Sequence, residues 1–155
     1  MEIKLANVSD APIIHELMIK AFSKYKEVVP PSSALEETVE SVTTALMEQE
    51  MGAIAYMEEQ PVGMVRFTIS GDELYFFRLS VIPEKQGQGI AKKLVNYLEK
   101  YAKNKGIPTL KCKVRMMLPK NIHLYHSIGF RVSGEEIVHK PNGLELKVVT
   151  MMKWI

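Results

Sequence analysis

The stretch Val81-Ile82-Pro83-Glu84-Lys85-Gln86-Gly87-Gln88-Gly89-Ile90-Ala91 decides how this chain folds and what it can bind. It joins an apolar run, typical of a buried strand, to an amphipathic helix through a loop that carries two glycines. The first N–H groups of such a helix have no acceptor within the helix. They also stand at the positive end of the helix dipole. The stretch therefore predicts an anion site, and a pyrophosphate suits it.

The small residues of this loop and the charges after it fit a bound anion. Gly87 and Gly89 permit positive φ and let a ligand approach the backbone. Ala91 keeps a third position small, so that the helix can lie near the sheet. Lys92 and Lys93 are unfavourable at a helix N-terminus on dipole grounds, but they make sense beside an anion. The alternative is that two glycines only turn a corner, because such short motifs are weak by themselves.

A dinucleotide site of the Rossmann type fits this loop less well. The third glycine of its motif is replaced by Lys92, and no acidic residue follows about 20 positions later. The next strand carries Lys111 and Lys113, so only a 2′-phosphorylated dinucleotide, as in an NADP-linked reductase, stays open.

Hydrophobic periodicity on either side of the loop predicts an α/β protein. An apolar run before the loop indicates a strand covered on both faces, and the apolar stripe after it indicates a helix that ends at a glycine. The chain as a whole predicts the order β-α-α-β-β-β-α-β-α-β-β, a mixed sheet with helices on both faces. The predicted strands are 2–6, 53–57, 62–69, 74–82, 109–114, 130–138 and 144–154. The first predicted helix is capped by Ser9 or Asp10 and has an apolar stripe from Ile13 to Ala21, and the other predicted helices are 34–49, 90–105 and 119–127.

Composition narrows the class of protein. The chain has 155 residues, so we expect one domain over residues 1–155, and its 46% apolar content is ordinary for a globular protein. The net charge of +2 gives no reason to expect nucleic acid or an anionic membrane as a partner. A single Cys, no leader pattern and no long apolar run predict a cytoplasmic protein.

Two motifs make the chain resemble the GNAT superfamily of acyl-coenzyme A-dependent N-acetyltransferases. Residues Gln86 to Ala91 fit the (Arg/Gln)-x-x-Gly-x-(Gly/Ala) motif of that family. Asn121, then Tyr125 four residues later, then Gly129-Phe130 fit its second signature, and the element order matches over nearly the whole chain. The resemblance implies the GNAT fold, α/β (α+β), with a mixed, mostly antiparallel central sheet of six to seven strands, about four helices, and splayed central strands.

The resemblance also implies acetyl-coenzyme A as co-substrate, with no metal. The pantetheine arm would lie in the gap between the splayed strands, bonded by backbone groups of Leu79 and Val81, as a peptide adds to a sheet edge. Asn121 would bond the arm or fix its helix start, and Gln86 would brace the loop or reach a phosphate. The pyrophosphate would bind the N–H groups of the loop and first helical turn, namely Gly87, Gln88, Gly89, Ile90 and Ala91, with Lys92 beside them.

The implied chemistry is direct attack of a neutral amine on the thioester. Tyr125 is the general acid by position, against the alternative of a packed ring. The N–H of Val81 would stabilise the oxyanion. Histone-type relatives place a Glu eleven positions before the motif Gln, where this chain has Tyr75. Glu73 is therefore the candidate base, directly or through water, against the alternative of a solvated charge.

The sequence leaves the amine acceptor open, and several residues have more than one interpretation. The acceptor would be a small molecule or a protein with a primary amine, bound by residues 25–34 and the last hairpin. The resemblance implies that two acidic regions border the acceptor site, where they would favour a cationic acceptor; the alternative is that they are solvated acidic surfaces. These regions are Glu36, Glu37 and Glu40 on the second helix and Glu135 and Glu136 on the penultimate strand. Cys112 fits a buried hydrophobe, and His123 and His126 fit a surface pair rather than metal ligands. A coenzyme A-binding module without turnover and a homodimer both stay open.

Overall fold

We describe the chain from a computed structural model, which covers residues 1–25, 32–141 and 143–155. Its helices and strands follow the predicted order. The strands are β1 (Glu2–Leu5), β2 (Met51–Met57), β3 (Gln60–Ser70), β4 (Glu73–Val81), β5 (Thr109–Arg115), β6 (Arg131–His139) and β7 (Glu145–Trp154). The helices are α1 (Ala11–Phe22), α2 (Val39–Glu48), α3 (Ile90–Asn104) and α4 (Pro119–Ser127).

The seven strands form one sheet in the order β1-β2-β3-β4-β5-β7-β6. Strands β1 and β2, β2 and β3, β5 and β7, and β6 and β7 pair antiparallel, whereas β4 and β5 pair parallel. The predicted mixed, mostly antiparallel sheet is therefore confirmed. The parallel register runs from Glu73↔Thr109 to Tyr75↔Lys111. The splaying of β4 and β5 beyond that register stays a prediction.

The chain divides into two compact units, each built from two stretches. The first unit contains residues 1–68 and 76–98, and the second contains residues 69–75 and 99–155. We describe each unit by itself. The single domain over residues 1–155 stays a prediction.

The core of the first unit lies between α1, α2 and the sheet. Ile14, Leu17 and Met18 make the buried stripe of α1, as the helical spacing predicts. They pack with Val42 of α2 and Ile54 of β2, among other buried residues. Burying such side chains is worth about 1.5–3 kcal/mol each, which holds α1 and α2 on the sheet.

The second predicted helix begins later than the sequence pattern suggests. Residues Ser33–Glu36 form a 3-10 turn, and α2 starts at Val39 rather than Ala34. The reason is a cap: the N–H of Ser41 donates to Oγ1 of Thr38 over 3.0 Å, and the N–H of Thr38 donates to Oγ of Ser41 over 3.0 Å. This reciprocal cap gives the N–H groups of Thr38 and Ser41 side-chain acceptors, so the helix can begin at Val39 without a preceding helical turn.

The turn between β2 and β3 is tighter than the spacing of the predicted strands 53–57 and 62–69 suggests. Glu58 and Glu59 both have positive φ, 51° and 67°, and Met57 pairs with Gln60. Two residues with positive φ are the geometry of a type I′ turn. Pro61 therefore belongs to β3, next to the register shift between Ala55 and Tyr56. In the last predicted turn, Asn142 lies outside the described residues.

The second unit buries apolar side chains of α4, β5 and β7. Leu110, Cys112 and Val114 are buried and alternate with Lys111 and Lys113, as predicted for a half-covered strand. Phe130 and Met151 are fully buried in the same unit. In the part of the chain that the structure covers, no helix has both the length and the apolar character needed to cross a membrane.

Candidate functional site

The loop between β4 and α3 is open to solvent along its glycines. A 3-10 turn, Pro83–Lys85, leads into Gln86, and Gly87, Gln88 and Gly89 are exposed. Gly87 and Gly89 have φ of 80° and 81°. A Cβ at either glycine would meet no heavy atom within 4 Å. These glycines are therefore needed for their backbone conformation, and the space beside them is available to a ligand.

The first turn of α3 presents its N–H groups at the same loop. The first intrahelical donor is Lys93, whose N–H bonds the carbonyl oxygen of Gly89 over 3.1 Å. The N–H groups of the preceding helical residues have no acceptor one turn back, because the helix has not yet begun. Lys92 and Lys93 are exposed at this end of α3. Donors, dipole and lysine charge therefore converge on one place.

The side chain of Gln86 ties this loop to its surroundings. Its Nε2 donates to the carbonyl oxygen of Val81 over 3.0 Å, across the turn. Its Oε1 accepts from Nζ of Lys24, at the end of the chain's first helical segment, over 2.9 Å. Gln86 thus connects the end of β4 with the 3-10 turn Ser23–Tyr25. Of the two roles that the resemblance implies for Gln86, this geometry corresponds to bracing the loop.

A glycine that the sequence analysis did not single out lets α3 approach the sheet. A Cβ on Gly63 of β3 would lie 2.9 Å from the carbonyl oxygen of Ser80 and 3.2 Å from Cγ2 of Ile90. A side chain at this position would displace the backbone of β4 at Ser80 and crowd the side chain of Ile90 on α3. A lone glycine inside a strand pattern is the signal that could have found it, since it often marks a close approach.

Strand β4 contains a local irregularity at Arg78. Its φ is 56°, in the left-handed region that non-glycine residues rarely adopt. Leu74 and Phe76 are buried at alternate positions before it, whereas Ser80 and Val81 are buried consecutively after it. An interrupted alternation of this kind is what an extra, bulged residue produces in a strand. The apolar run 74–82 predicts one regular strand, and this prediction is wrong at Arg78.

After this irregularity, one hydrogen bond shows which backbone groups of β4 point toward β3. The N–H of Ile82 donates to the carbonyl oxygen of Val62 on β3 over 3.0 Å. Backbone groups of successive strand residues point to opposite edges. The N–H and C=O groups of Val81 and Leu79 therefore point away from β3. This is the orientation that an added, strand-like ligand arm requires.

Arg78 belongs to a group of four charged side chains. Arg66 of β3, only 3% exposed, bonds Glu50 through Nε (2.6 Å) and Nη2 (3.0 Å), and bonds Glu37 through Nη1 (2.8 Å). Nε of Arg78 bonds Oε2 of Glu37 over 3.0 Å. Burial opposes the charge of Arg66, but its bonds to Glu50 and Glu37 outweigh burial and raise its pKa. We call Glu37, Glu50, Arg66 and Arg78 the charged cluster.

The cluster corrects the prediction for Glu37. This residue lies between the 3-10 turn and α2 rather than on the second helix, and its side chain is 19% exposed and ion-paired. It is therefore not a solvated acidic surface. Glu36 is in the 3-10 turn, and Glu40 is in the first turn of α2. Arg66 and Arg78 were missed, although a charge inside an otherwise apolar strand is a visible signal.

The second unit holds the predicted catalytic tyrosine. Tyr125 lies on α4, is 8% exposed, and its ring centroid is 5.7 Å from that of Phe130. Burial, and to a smaller extent Cys112, raises the pKa of Tyr125 above its ordinary value. The phenol therefore stays protonated at neutral pH. Asn121 is part-buried in the first turn of α4, where its N–H donates to the carbonyl oxygen of Leu118 over 3.1 Å.

The other candidates of this unit have ordinary surroundings. Burial raises the pKa of the Cys112 thiol to about 12, so it stays a neutral thiol. Glu73 opens β4 and lies 3.7 Å from Nζ of Lys111. Glu136 of β6 is paired with Lys113 over 2.8 Å. His123 and His126 are exposed on α4, and within the described ranges no three His, Cys, Asp or Glu residues are grouped to hold a metal ion.

Comparisons with known proteins agree with this architecture. The model of the acetyltransferase (GNAT) family matches residues 14–130. Human N-acetyltransferase 8B is 28% identical over 142 residues, which is 86% of this chain, and the chain spans 60% of that relative's length.

Two solved structures share the fold. The ribosomal-protein-S18-alanine N-acetyltransferase of Escherichia coli aligns with a TM-score of 0.80 at 20% identity, over 99% of this chain and 93% of its own. The PaiA N-acetyltransferase of Thermoplasma acidophilum, solved with coenzyme A, aligns with a TM-score of 0.79 at 17% identity, over all of both chains.

Proposed function

The chain belongs to the acetyltransferase (GNAT) family, and from this premise we propose that it transfers an acetyl group from acetyl-coenzyme A directly to a primary amine. The amine belongs to a small molecule or a protein. The observation that carries the proposal is the exposed loop Gly87–Gly89, whose open glycines directly precede the first turn of α3, where helical N–H groups lack an acceptor within the helix.

The phosphates of the coenzyme bind at this loop. The N–H groups of Gly87 to Ala91 supply donors, and Lys92 supplies positive charge beside them. Backbone donors at a helix start favour an anion through both hydrogen bonds and the dipole. The positive φ of Gly87 and Gly89 directs these donors without a side chain between them and the phosphates.

The pantetheine arm binds along the end of β4. Backbone groups of Leu79 and Val81 point away from β3, so they can bond the amides of the arm in the way a new strand is added. Asn121 supplies a further polar group for the arm, as the family resemblance implies. The thioester then lies at the end of the arm, where the N–H of Val81 can donate to its carbonyl oxygen.

The transfer needs the amine to lose two protons and the thiolate to gain one. A lysine-type amine has a pKa of about 10.4, so most of it must lose a proton before it can attack. The neutral amine forms the C–N bond, the Val81 N–H stabilises the oxyanion, and the C–S bond then breaks. Tyr125, which is protonated at neutral pH, gives its proton to the departing thiolate and takes the second proton of the nitrogen, so that both the amide and the phenol end neutral. Glu73, directly or through a water, accepts the proton of the amine.

A thiol-release assay tests the proposal. The purified protein is mixed with acetyl-coenzyme A and a panel of amines that includes polyamines, aminoglycosides and peptides with a lysine or a free N-terminus. We expect coenzyme A to be released with at least one amine, together with an acetylated product of matching mass. Binding of acetyl-coenzyme A without turnover on any amine or cell extract would instead favour a coenzyme A-binding module. Binding of NADPH in competition with coenzyme A would favour the reductase.

A further inference from the structure

The charged cluster reaches the part of β4 that the proposed function uses. Glu37 contacts both arginines: Nη1 of Arg66 lies 2.8 Å from each of its carboxylate oxygens, and Nε of Arg78 lies 3.0 Å from Oε2. Nη2 of Arg78 also donates to Oγ of Ser33 over 2.9 Å. Charged, part-buried hydrogen bonds of this kind are stronger than neutral ones. They hold the side chain of Arg78 in one direction.

The backbone of Arg78 needs such support. A non-glycine residue with φ of 56° is in a conformation of higher energy than the extended one, and it persists where its surroundings impose it. The bonds to Glu37 and Ser33 hold the guanidinium group of Arg78. A hydrogen bond of 2.9 Å from Oγ of Ser80 holds its backbone carbonyl oxygen.

The conformation of Arg78 decides whether the backbone groups of the following residues point toward β3 or away from it. A shift of one residue in a strand exchanges the directions of all its groups. With the irregularity at Arg78, Ile82 bonds β3, and Leu79 and Val81 point the other way. If Arg78 became extended, Leu79 and Val81 would turn toward β3. The N–H and C=O groups of Leu79 and Val81 would then no longer be available to bind the pantetheine arm.

We propose that Glu37 is a positioning residue of the acyl-transfer site. Acting through Arg78, it holds the left-handed backbone that points Leu79 and Val81 toward the pantetheine arm. The inference rests on the proposed function, because it assumes that acyl-coenzyme A binds at this strand. It concerns the arm more than the phosphates, since the loop Gly87–Gly89 keeps a bond from Lys24 to Gln86 that does not involve β4.

Two ligands separate these parts of the site. Coenzyme A carries the pantetheine arm, whereas 3′-phospho-ADP carries the phosphates without it. We expect Glu37→Gln to lower kcat and to weaken coenzyme A binding about tenfold, which corresponds to about 1.4 kcal/mol. Its affinity for 3′-phospho-ADP should fall less, because the loop keeps the bond from Lys24 to Gln86. The matched control is Glu50→Gln, which removes a carboxylate from the other side of Arg66 without touching Arg78. That control lowers the melting temperature but leaves the ratio of the two affinities as in the wild type.

The variant Arg78→Gly tests whether the loss caused by Glu37→Gln can be reversed. Because glycine adopts positive φ without a penalty, Arg78→Gly in the Glu37→Gln background should recover coenzyme A affinity and kcat. If Glu37→Gln does not fold, the single variants Arg78→Gly and Arg78→Ala decide the question. Both lack the side chain, and we expect the alanine variant to bind coenzyme A about tenfold more weakly than the glycine variant.

Several results would overturn the inference. These are equal weakening of both ligands in Glu37→Gln, no recovery with glycine, or equal affinities of Arg78→Gly and Arg78→Ala. If the wild type binds and uses acetyl-coenzyme A in these cases, only the role of Glu37 fails. A wild type that binds neither ligand would remove the proposed function and this inference together.

Discussion

The side-chain amide of Gln86 donates to the carbonyl oxygen of Val81 over 3.0 Å. This bond spans the turn between the end of β4 and the glycine loop, so it connects the two parts of the proposed coenzyme site. Lys24 bonds the other end of the same amide over 2.9 Å. The position of the loop therefore depends on one neutral side chain with two partners.

Replacing Gln86 by alanine should weaken coenzyme A binding about tenfold, because each lost hydrogen bond is worth about 0.5–1.5 kcal/mol and the loop loses two. Calorimetric titration with coenzyme A measures the change. Gln60→Ala is the matched control, because Gln60 is an exposed glutamine on β3 outside the proposed site. Equal affinities for Gln86→Ala and the wild type would contradict the bracing role.

Replacing Gly89 by glutamate should abolish coenzyme A binding, because a carboxylate would occupy the space proposed for the pyrophosphate. The variant should still fold, since a Cβ at this position meets no heavy atom within 4 Å. Gly71→Glu is the control: Gly71 also has positive φ, 59°, and an open surrounding, so it suffers the same backbone strain away from the loop. Retained affinity in Gly89→Glu would refute the loop assignment.

Replacing Tyr125 by phenylalanine should lower kcat about 10²–10⁴-fold, the usual contribution of a general acid, while coenzyme A affinity changes little. The ring stays in its buried place beside Phe130, 5.7 Å away between centroids, and only the proton donor is lost. Steady-state kinetics and a binding titration on the same preparation measure both. An unchanged kcat would remove Tyr125 from the acid role.

The raised pKa of Tyr125 should also appear in the stability of the protein at high pH. The unfolded chain ionises this tyrosine near its ordinary value of 10.0, whereas the folded protein keeps the proton. The stabilisation by the neutral phenol is thus complete below pH 10 and is lost as pH rises above it, by about 1.4 kcal/mol per pH unit. Urea unfolding of the wild type and Tyr125→Phe between pH 9 and 11 measures this. Parallel curves for the two proteins would contradict it.

Replacing Glu73 by glutamine should lower kcat/KM at neutral pH, and raising the pH should restore it, because an amine that is already neutral needs no base. The pH profiles of the two proteins, measured with one amine, show the difference. Lys111→Met is the control, since Lys111 is the ion-pair partner of Glu73 at 3.7 Å. Identical profiles for Glu73→Gln and the wild type would assign the proton to water instead.

Much of the fold follows from local patterns in the sequence. The stripe of apolar residues in α3 predicts a helix over 90–105, and the helix covers Ile90–Asn104. The alternation around Cys112 likewise predicts β5. These patterns work because helices and strands repeat every 3.6 and every two residues. The start of α2 was predicted wrongly, because the cap at Thr38 overrides an apolar pattern that continues upstream of it.

Other features of the site could not be predicted from local sequence patterns. Sequence alone placed the loop of Gly87 and Gly89 and the helix start behind it, since both depend on neighbouring residues and on the geometry of a helix end. The left-handed Arg78 and the close approach at Gly63 came only from the tertiary structure. Arg78 bonds Glu37, which is 41 positions away, and Gly63 faces Ser80 and Ile90. Such contacts form between segments that only folding brings together, so no local periodicity encodes them.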